Sequence, residues 1–267
     1  MTQSNNQNFI AYIALGDSSV IDRYPDTHAA QLGGAPEVER TALGAASLLF
    51  QNADVRYPEF RGRDLASLGV RSFLPLAEDG ATTRSVLEVQ IPRVARSEEP
   101  TLVTLAVGGN DFLGLLGVME RGLTRQALEG VSAIPQNVGR ILQAIKARRP
   151  NATIAVTTIY DPTDATWVFP EWGIYEPQPA LGAAFEAVND AIRRVTAAEG
   201  AILVDVHRHF QGHGVESEDC WYWEPQPIEP SVTGAHEIRR LFVEAVALDA
   251  IGDRSGSAAV TQERRSA

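Results

Sequence analysis

Lysine is nearly absent from this chain, Lys146 being the only one among 267 residues, with arginine supplying the rest of the basic side chains. A phosphate-cradling Gly-x-x-x-x-Gly-Lys loop therefore cannot be built, which removes the P-loop enzymes. Positive charge as a whole is scarce: 23 Lys and Arg against 34 Asp and Glu leave a formal charge of −11 and an isoelectric point near 4.9. A surface of that sign repels phosphate backbones and anionic lipid, so nucleic acid is not an expected partner. Cysteine is reduced to Cys220, which permits neither an internal disulfide nor a cysteine metal cluster and agrees with a reducing compartment. Beside Trp221 it reads as a structural residue. No apolar run approaches the ~20 residues a membrane helix needs. Residues Met1 to Asn8 are polar and uncharged, and the apolar stretch behind them ends at Leu15, too short and wrongly flanked for a secretory signal. A cytoplasmic protein with no integral membrane association is the expectation.

An apolar content of 44% is enough to bury a substantial core, and the length suits one α/β domain. Strand-like runs recur at Phe9–Leu15, Val70–Leu76, Leu102–Val107, Thr153–Thr158 and Ala201–Val206. Segments of helical spacing lie between and after them: Glu39–Gln51, Thr83–Ala95, Thr124–Arg148, Ala180–Glu199 and Thr233–Ile251. This alternation predicts a mostly parallel five-stranded sheet covered by helices on both faces, a three-layer α/β/α sandwich of flavodoxin-like outline. One domain over residues 9–251 is expected, preceded by a polar extension at 1–8. It is followed at 252–267 by a tail rich in Gly, Ser, Ala and charge, without apolar periodicity, that reads as disordered.

In such sheets ligands sit outside the carboxyl ends of the strands. Those ends carry Gly16-Asp17-Ser18, Asp79-Gly80-Ala81-Thr82, Gly108-Gly109-Asn110-Asp111, Tyr160-Asp161-Pro162-Thr163-Asp164 and a histidine-rich stretch containing His207, His209 and His213. Ester hydrolysis needs a nucleophile, donors for the oxyanion and a proton carrier. Ser18 is the candidate nucleophile. The backbone N–H groups of Ser18 and Gly80 and the side-chain amide of Asn110 are the candidate oxyanion donors. Each has a plainer reading, a turn for Gly80 and a helix cap for Asn110, and only their joint placement at three successive strand ends favours chemistry.

With these blocks in view, the chain resembles the SGNH hydrolase superfamily, the GDSL esterases and lipases, over about residues 9 to 250. Gly-Asp-Ser supplies the nucleophile block, Asp-Gly-Ala-Thr the glycine block and Gly-Gly-Asn-Asp the asparagine block. The resemblance implies an acyl-ester hydrolase acting on a small-molecule ester without a cofactor or metal, with Ser18, Gly80 and Asn110 in the roles just argued.

The fourth block departs from the pattern. Members of that superfamily carry Asp-x-x-His-Pro before the final helix. Anchored on Pro230 and Gly234, the alignment places Glu229 where the histidine belongs and Gln226 where the aspartate belongs. Three repairs are open. A histidine of the loop after the fifth strand could serve Ser18, His213 between two glycines having the freest backbone. Glu229 could act as base if burial raised its pKa above the ordinary value of about 4.3. Or the chain is a catalytically impaired protein that keeps the site for binding a small molecule or glycan. His236 falls about two helical turns, roughly 10 Å, beyond Glu229. A metal site on His207, His209 and His213 lacks a fixed fourth ligand and is not expected. Asp17, Asp111, Asp161 and Trp167 are the candidates for touching substrate, with turn formation as the plainer reading of Asp161 and Asp164. The aromatic clusters Trp167, Phe169, Trp172, Tyr175 and Trp221, Tyr222, Trp223 suit either a substrate face or a satellite core.

Overall fold

The computed structural model describes residues 8–33, 42–120, 124–170 and 173–246. The expected extension at 1–8, apart from Asn8, and the expected tail at 252–267 lie outside the described residues, as does Trp172.

Five parallel strands form the sheet: β1 (Ala11–Gly16), β2 (Ser72–Pro75), β3 (Thr101–Ala106), β4 (Ala152–Thr157) and β5 (Ile202–Val204), in the order β2-β1-β3-β4-β5. Chain reversal between β1 and its two neighbours puts the crevice of the sheet at the end of β1. Every residue of β1 and β3 is buried, as a strand covered on both faces requires, and the side chains divide by the two-residue period of a strand. Ile13, Leu15, Val103 and Leu105 enter one core layer; Tyr12, Ala14, Leu102 and Ala106 enter the other. Truncating Leu105 to Ala would cost about 2–5 kcal/mol.

The helices are α1 (Arg23–Gln31), α2 (Ala45–Phe50), α3 (Thr83–Ser85), α4 (Ile91–Arg93), α5 (Gly109–Glu120), α6 (Thr124–Arg148), α7 (Pro179–Ala198), α8 (Val206–Phe210) and α9 (Val232–Ala245). The first layer is closed by Phe112 of α5, Ile141 of α6 and Phe185 of α7. The second is closed by Leu49 of α2, Phe210 of α8 and Phe242 of α9. At the far end of α6 from the crevice, the Lys146 ammonium donates to the backbone carbonyl of Glu199 and pairs with its carboxylate at 2.8 Å.

Two expectations are adjusted. The helix expected over Thr83–Ala95 is two short α-turns flanking a π-helical stretch, Val86–Gln90, because Pro92 has no N–H to continue a regular ladder. The stretch after Cys220, read without a strand, folds as an antiparallel hairpin of β6 (Tyr222–Trp223) and β7 (Gln226–Pro230). Pro227 and Pro230 concealed it, since proline donates nothing to a ladder and is confined to edges.

Candidate active site

The chain leaves β1 through Gly16 at φ +136°, where an added Cβ would lie 1.9 Å from the Ala106 carbonyl oxygen. Only glycine fits so close to β3. The amide of buried Gln90, on the π-helical stretch, then fixes both polar groups of Gly16: its Oε1 accepts from the Gly16 N–H at 2.9 Å and its Nε2 donates to the Gly16 carbonyl at 2.7 Å. Nothing in the sequence marked Gln90 as more than one polar residue on an amphipathic segment. Asp17 follows as the cap of a single 3₁₀ turn, Ser18–Val20, accepting from the Ser19 N–H at 3.0 Å and from its hydroxyl at 2.6 Å. Ser18 is thereby delivered to the end of β1, buried but lining a cavity.

Glu229 reaches the same cavity from β7. The hairpin is held over the crevice by the Tyr160 hydroxyl, which donates to the Ile228 carbonyl at 2.9 Å, and its arms are joined one rung further by the Ser231 N–H, which donates to the Trp221 carbonyl at 2.9 Å. A Cβ at Gly234 would stand 2.2 Å from that same carbonyl oxygen, so the glycine that anchors the fourth block is required by a close approach. The Glu229 carboxyl interacts with the Ser18 hydroxyl, which stabilises its charge. Burial works in the opposite direction and dominates, with Asp17 and Asp79 adding repulsion, so that its pKa is pushed up to about 8. Its Oε2 is buried without a hydrogen-bond partner among the described residues, an arrangement far less costly for a neutral acid than for a carboxylate. Asp17 is raised to about 6, again chiefly by burial.

Asn110 stands on the first turn of α5 and lines the cavity. Its Nδ2 donates one proton to the Ala81 carbonyl at 3.0 Å; an amide nitrogen carries a second. Gly80 sits one residue before that carbonyl with φ +72°, in a turn where the Ala81 N–H donates to the Glu78 carbonyl at 3.2 Å; it does not line the cavity. Asp111 is committed to scaffolding: its carboxylate accepts from the N–H and hydroxyl of Thr83 at 2.8 and 2.6 Å, tying α5 to α3.

The histidines do not converge on Ser18. His213 lies flat on Trp221 with ring centroids 3.5 Å apart, its Nδ1 set 3.0 Å from the Asp219 carbonyl oxygen. The freedom expected of Gly-His-Gly is removed by stacking, because this loop closes over the hairpin and not over the crevice. His207 is buried, facing Glu186 at 3.2 Å; His209 faces Glu237 at 2.7 Å; His236 stacks on Tyr57. The first three rings take separate partners and frame no common ligand site.

Asp161 is likewise spent on its own loop, accepting from the Thr163 N–H and hydroxyl and from the Ala165 N–H. Asp164 accepts from the N–H groups of Gly212 and Gly214 at 2.8 and 2.9 Å. Between them they hold three non-glycine residues in the left-handed region, Asp164, Ala165 and Trp167 at φ 49°, 67° and 57°, each at a cost of about 1–3 kcal/mol. The outcome is a buried Trp167 turned into the cavity wall against Phe112 and Phe185, at centroid distances of 5.3 and 4.8 Å. Phe169 lies beside it, whereas Tyr175 is exposed. Trp221 and Tyr222 are buried in the second core layer.

The sequence profile of the GDSL-like lipase/acylhydrolase family matches residues 14–235. The chain belongs to that family. It is an ester hydrolase, and its sheet and helices have the SGNH hydrolase fold. Among solved structures it is similar to an extracellular lipase from Streptomyces rimosus, with 22% identity, a TM-score of 0.57 and coverage of 88% of this chain and 99% of the other. A phospholipase A1 from Streptomyces albidoflavus gives 21%, 0.56, 88% and 98%, and an acetyl xylan esterase from Geobacillus stearothermophilus gives 16%, 0.57, 88% and 93%. No curated protein sequence matches the chain. Within the family fold, motif reading overlooked Gln90 and noted Tyr160 only as part of a strand end, since both act on backbone groups.

Proposed function

We propose that this GDSL-family hydrolase cleaves carboxylic esters with Ser18 as nucleophile and Glu229 as the proton carrier in place of histidine. The observation that carries the reading is the meeting of the Ser18 hydroxyl with the Glu229 carboxyl in one cavity, with every histidine of the loop after β5 engaged elsewhere. Ionised Glu229 accepts the proton of Ser18 Oγ as that oxygen bonds to the acyl carbon. The oxyanion so formed is met by the second Nδ2 proton of Asn110 and by the Ser18 N–H group. Neutral Glu229 then returns the proton to the departing alcohol, leaving acyl-Ser18. A water, deprotonated by the same carboxylate, attacks the acyl carbon; the bond to Ser18 Oγ breaks, protonated Glu229 returns that proton to Oγ, and the acid leaves.

Because Glu229 is raised to about 8, the base form is a minority at neutral pH and grows as the medium becomes alkaline. A serine-directed fluorophosphonate should label the protein at Ser18, faster at pH 9 than at pH 7, and Ser18→Ala should abolish labelling and cut turnover of p-nitrophenyl acetate by about 10³-fold or more. Unlabelled Ser18 together with undiminished turnover in Ser18→Ala would end the proposal. No serine-dependent turnover at any pH would favour the binding-protein alternative.

A further inference from the structure

The aromatic wall of the cavity has a feature that nucleophile chemistry does not call for. Trp167 is placed there by a loop whose backbone is held left-handed at three non-glycine residues and tied by the carboxylates of Asp161 and Asp164, and its backbone N–H donates to the Thr163 hydroxyl at 2.9 Å. On its other side the indole abuts α7 at Gly182, where an added Cβ would come within 3.2 Å of Trp167 Cδ1 and Nε1. The ring is thus clamped between a missing side chain and the cavity, with Phe112, Phe169 and Phe185 around it. The cavity that Ser18, Asn110 and Glu229 share with this wall measures about 70 Å³. Pockets that take drug-sized ligands run to about 300–1,000 Å³, so this space suits a short acyl chain and not a long one.

Resting on the serine-esterase reading above, we infer that the cavity is the acyl site, that it takes short acyl groups in preference to long ones, and that Trp167 is the residue that sets this preference. The wall excludes longer chains sterically because packed aromatic groups yield little and a loop over-determined by hydrogen bonds does not swing aside. Gly182 contributes by letting the indole stand back, so its replacement should act in the opposite direction to truncation of Trp167.

The test is the chain-length profile of kcat/KM on p-nitrophenyl acetate, butyrate and octanoate at pH 9, each corrected for the Ser18→Ala background. The wild type should lose at least roughly 10-fold between butyrate and octanoate, since misfit of even one methylene in an apolar pocket is worth that much. Trp167→Ala should raise the octanoate-to-acetate ratio by about 10²-fold or more. Trp167→Phe, a milder change for the case in which alanine does not fold, should raise it less but in the same sense. Gly182→Ala should lower the butyrate-to-acetate ratio. A wild-type profile flat to octanoate, or ratios unmoved in folded Trp167→Phe and Gly182→Ala, overturns the inference while leaving Ser18-dependent turnover of acetate, and with it the serine-esterase reading, intact. Absence of Ser18-dependent turnover and of fluorophosphonate labelling removes that reading and this inference with it.

Discussion

Replacing Glu229 with glutamine separates the two things a buried carboxyl does here, carry a proton and resist ionisation. In the unfolded chain the group ionises near 4.5, and in the folded protein near 8. Between those values the unfolded state binds fewer protons than the native state, so the stability contributed by the neutral form is full below about pH 4.5 and is lost progressively up to pH 8. At about 1.4 kcal/mol per pH unit, the separation amounts to at most about 5 kcal/mol. Glutamine has nearly the same shape, keeps a carbonyl oxygen for the Ser18 hydroxyl and has no charge to bury. Glu229→Gln should therefore match the wild type in urea unfolding at pH 4.5, exceed it by a few kcal/mol at pH 9, and change no further above that. Asp17, which repels Glu229 and is itself raised to about 6, contributes to both proteins and largely cancels in the difference. Activity should move the other way: loss of the proton carrier should reduce kcat by about 10²–10⁴-fold, and the wild-type kcat/KM should rise with pH to an inflection near 8 and not near the 6.5 of an unperturbed histidine. A stability difference that is the same at pH 4.5 and pH 9 would refute the argument that Glu229 is held neutral by burial. An inflection near 6.5 that survives in Glu229→Gln would assign the proton transfer to another group.

Asn110→Ala should lower kcat on p-nitrophenyl acetate by about 10²-fold with KM little changed, because an oxyanion donor acts on the transition state; a change confined to KM would make Asn110 a binding or bracing residue only. Gln90→Leu should strip both partners from Gly16 and destabilise the fold by about 2–4 kcal/mol, a fall in Tm of about 5–12 °C for a chain of this size, and fluorophosphonate labelling of Ser18 should slow; unchanged Tm and labelling would show that the Gly16 backbone holds its course unaided.

The fold was legible because its strands are short apolar runs between helical periods, and Tyr12 to Leu15 or Leu102 to Ala106 need no tertiary information to be recognised as doubly covered. The nucleophile and asparagine blocks were legible for a related reason: each sits where a strand must end, so its chemistry is exposed by position. Glu229 was legible only as one of three repairs of the fourth block, because it reaches the cavity through a proline-bearing hairpin whose pairing leaves no alternation in the sequence, while His213 offered a more familiar group on a loop that tertiary stacking directs elsewhere. How far the Glu229 pKa is raised was not legible, since the burial that raises it is a property of the assembled crevice. The roles of Gln90 and Tyr160 escaped for the same reason, their partners being backbone groups 74 and 68 residues away.

Lys146 is the chain's single lysine, and it lies where α6 turns back toward the start of β4. Parallel strands share one polarity, so the sheet edge beside Lys146 is the one opposite Ser18, about 20 Å away along a six-residue strand. A lysine-directed coupling reagent therefore has one side-chain target on this protein. A surface or tether joined through it would hold each molecule with its crevice facing outward.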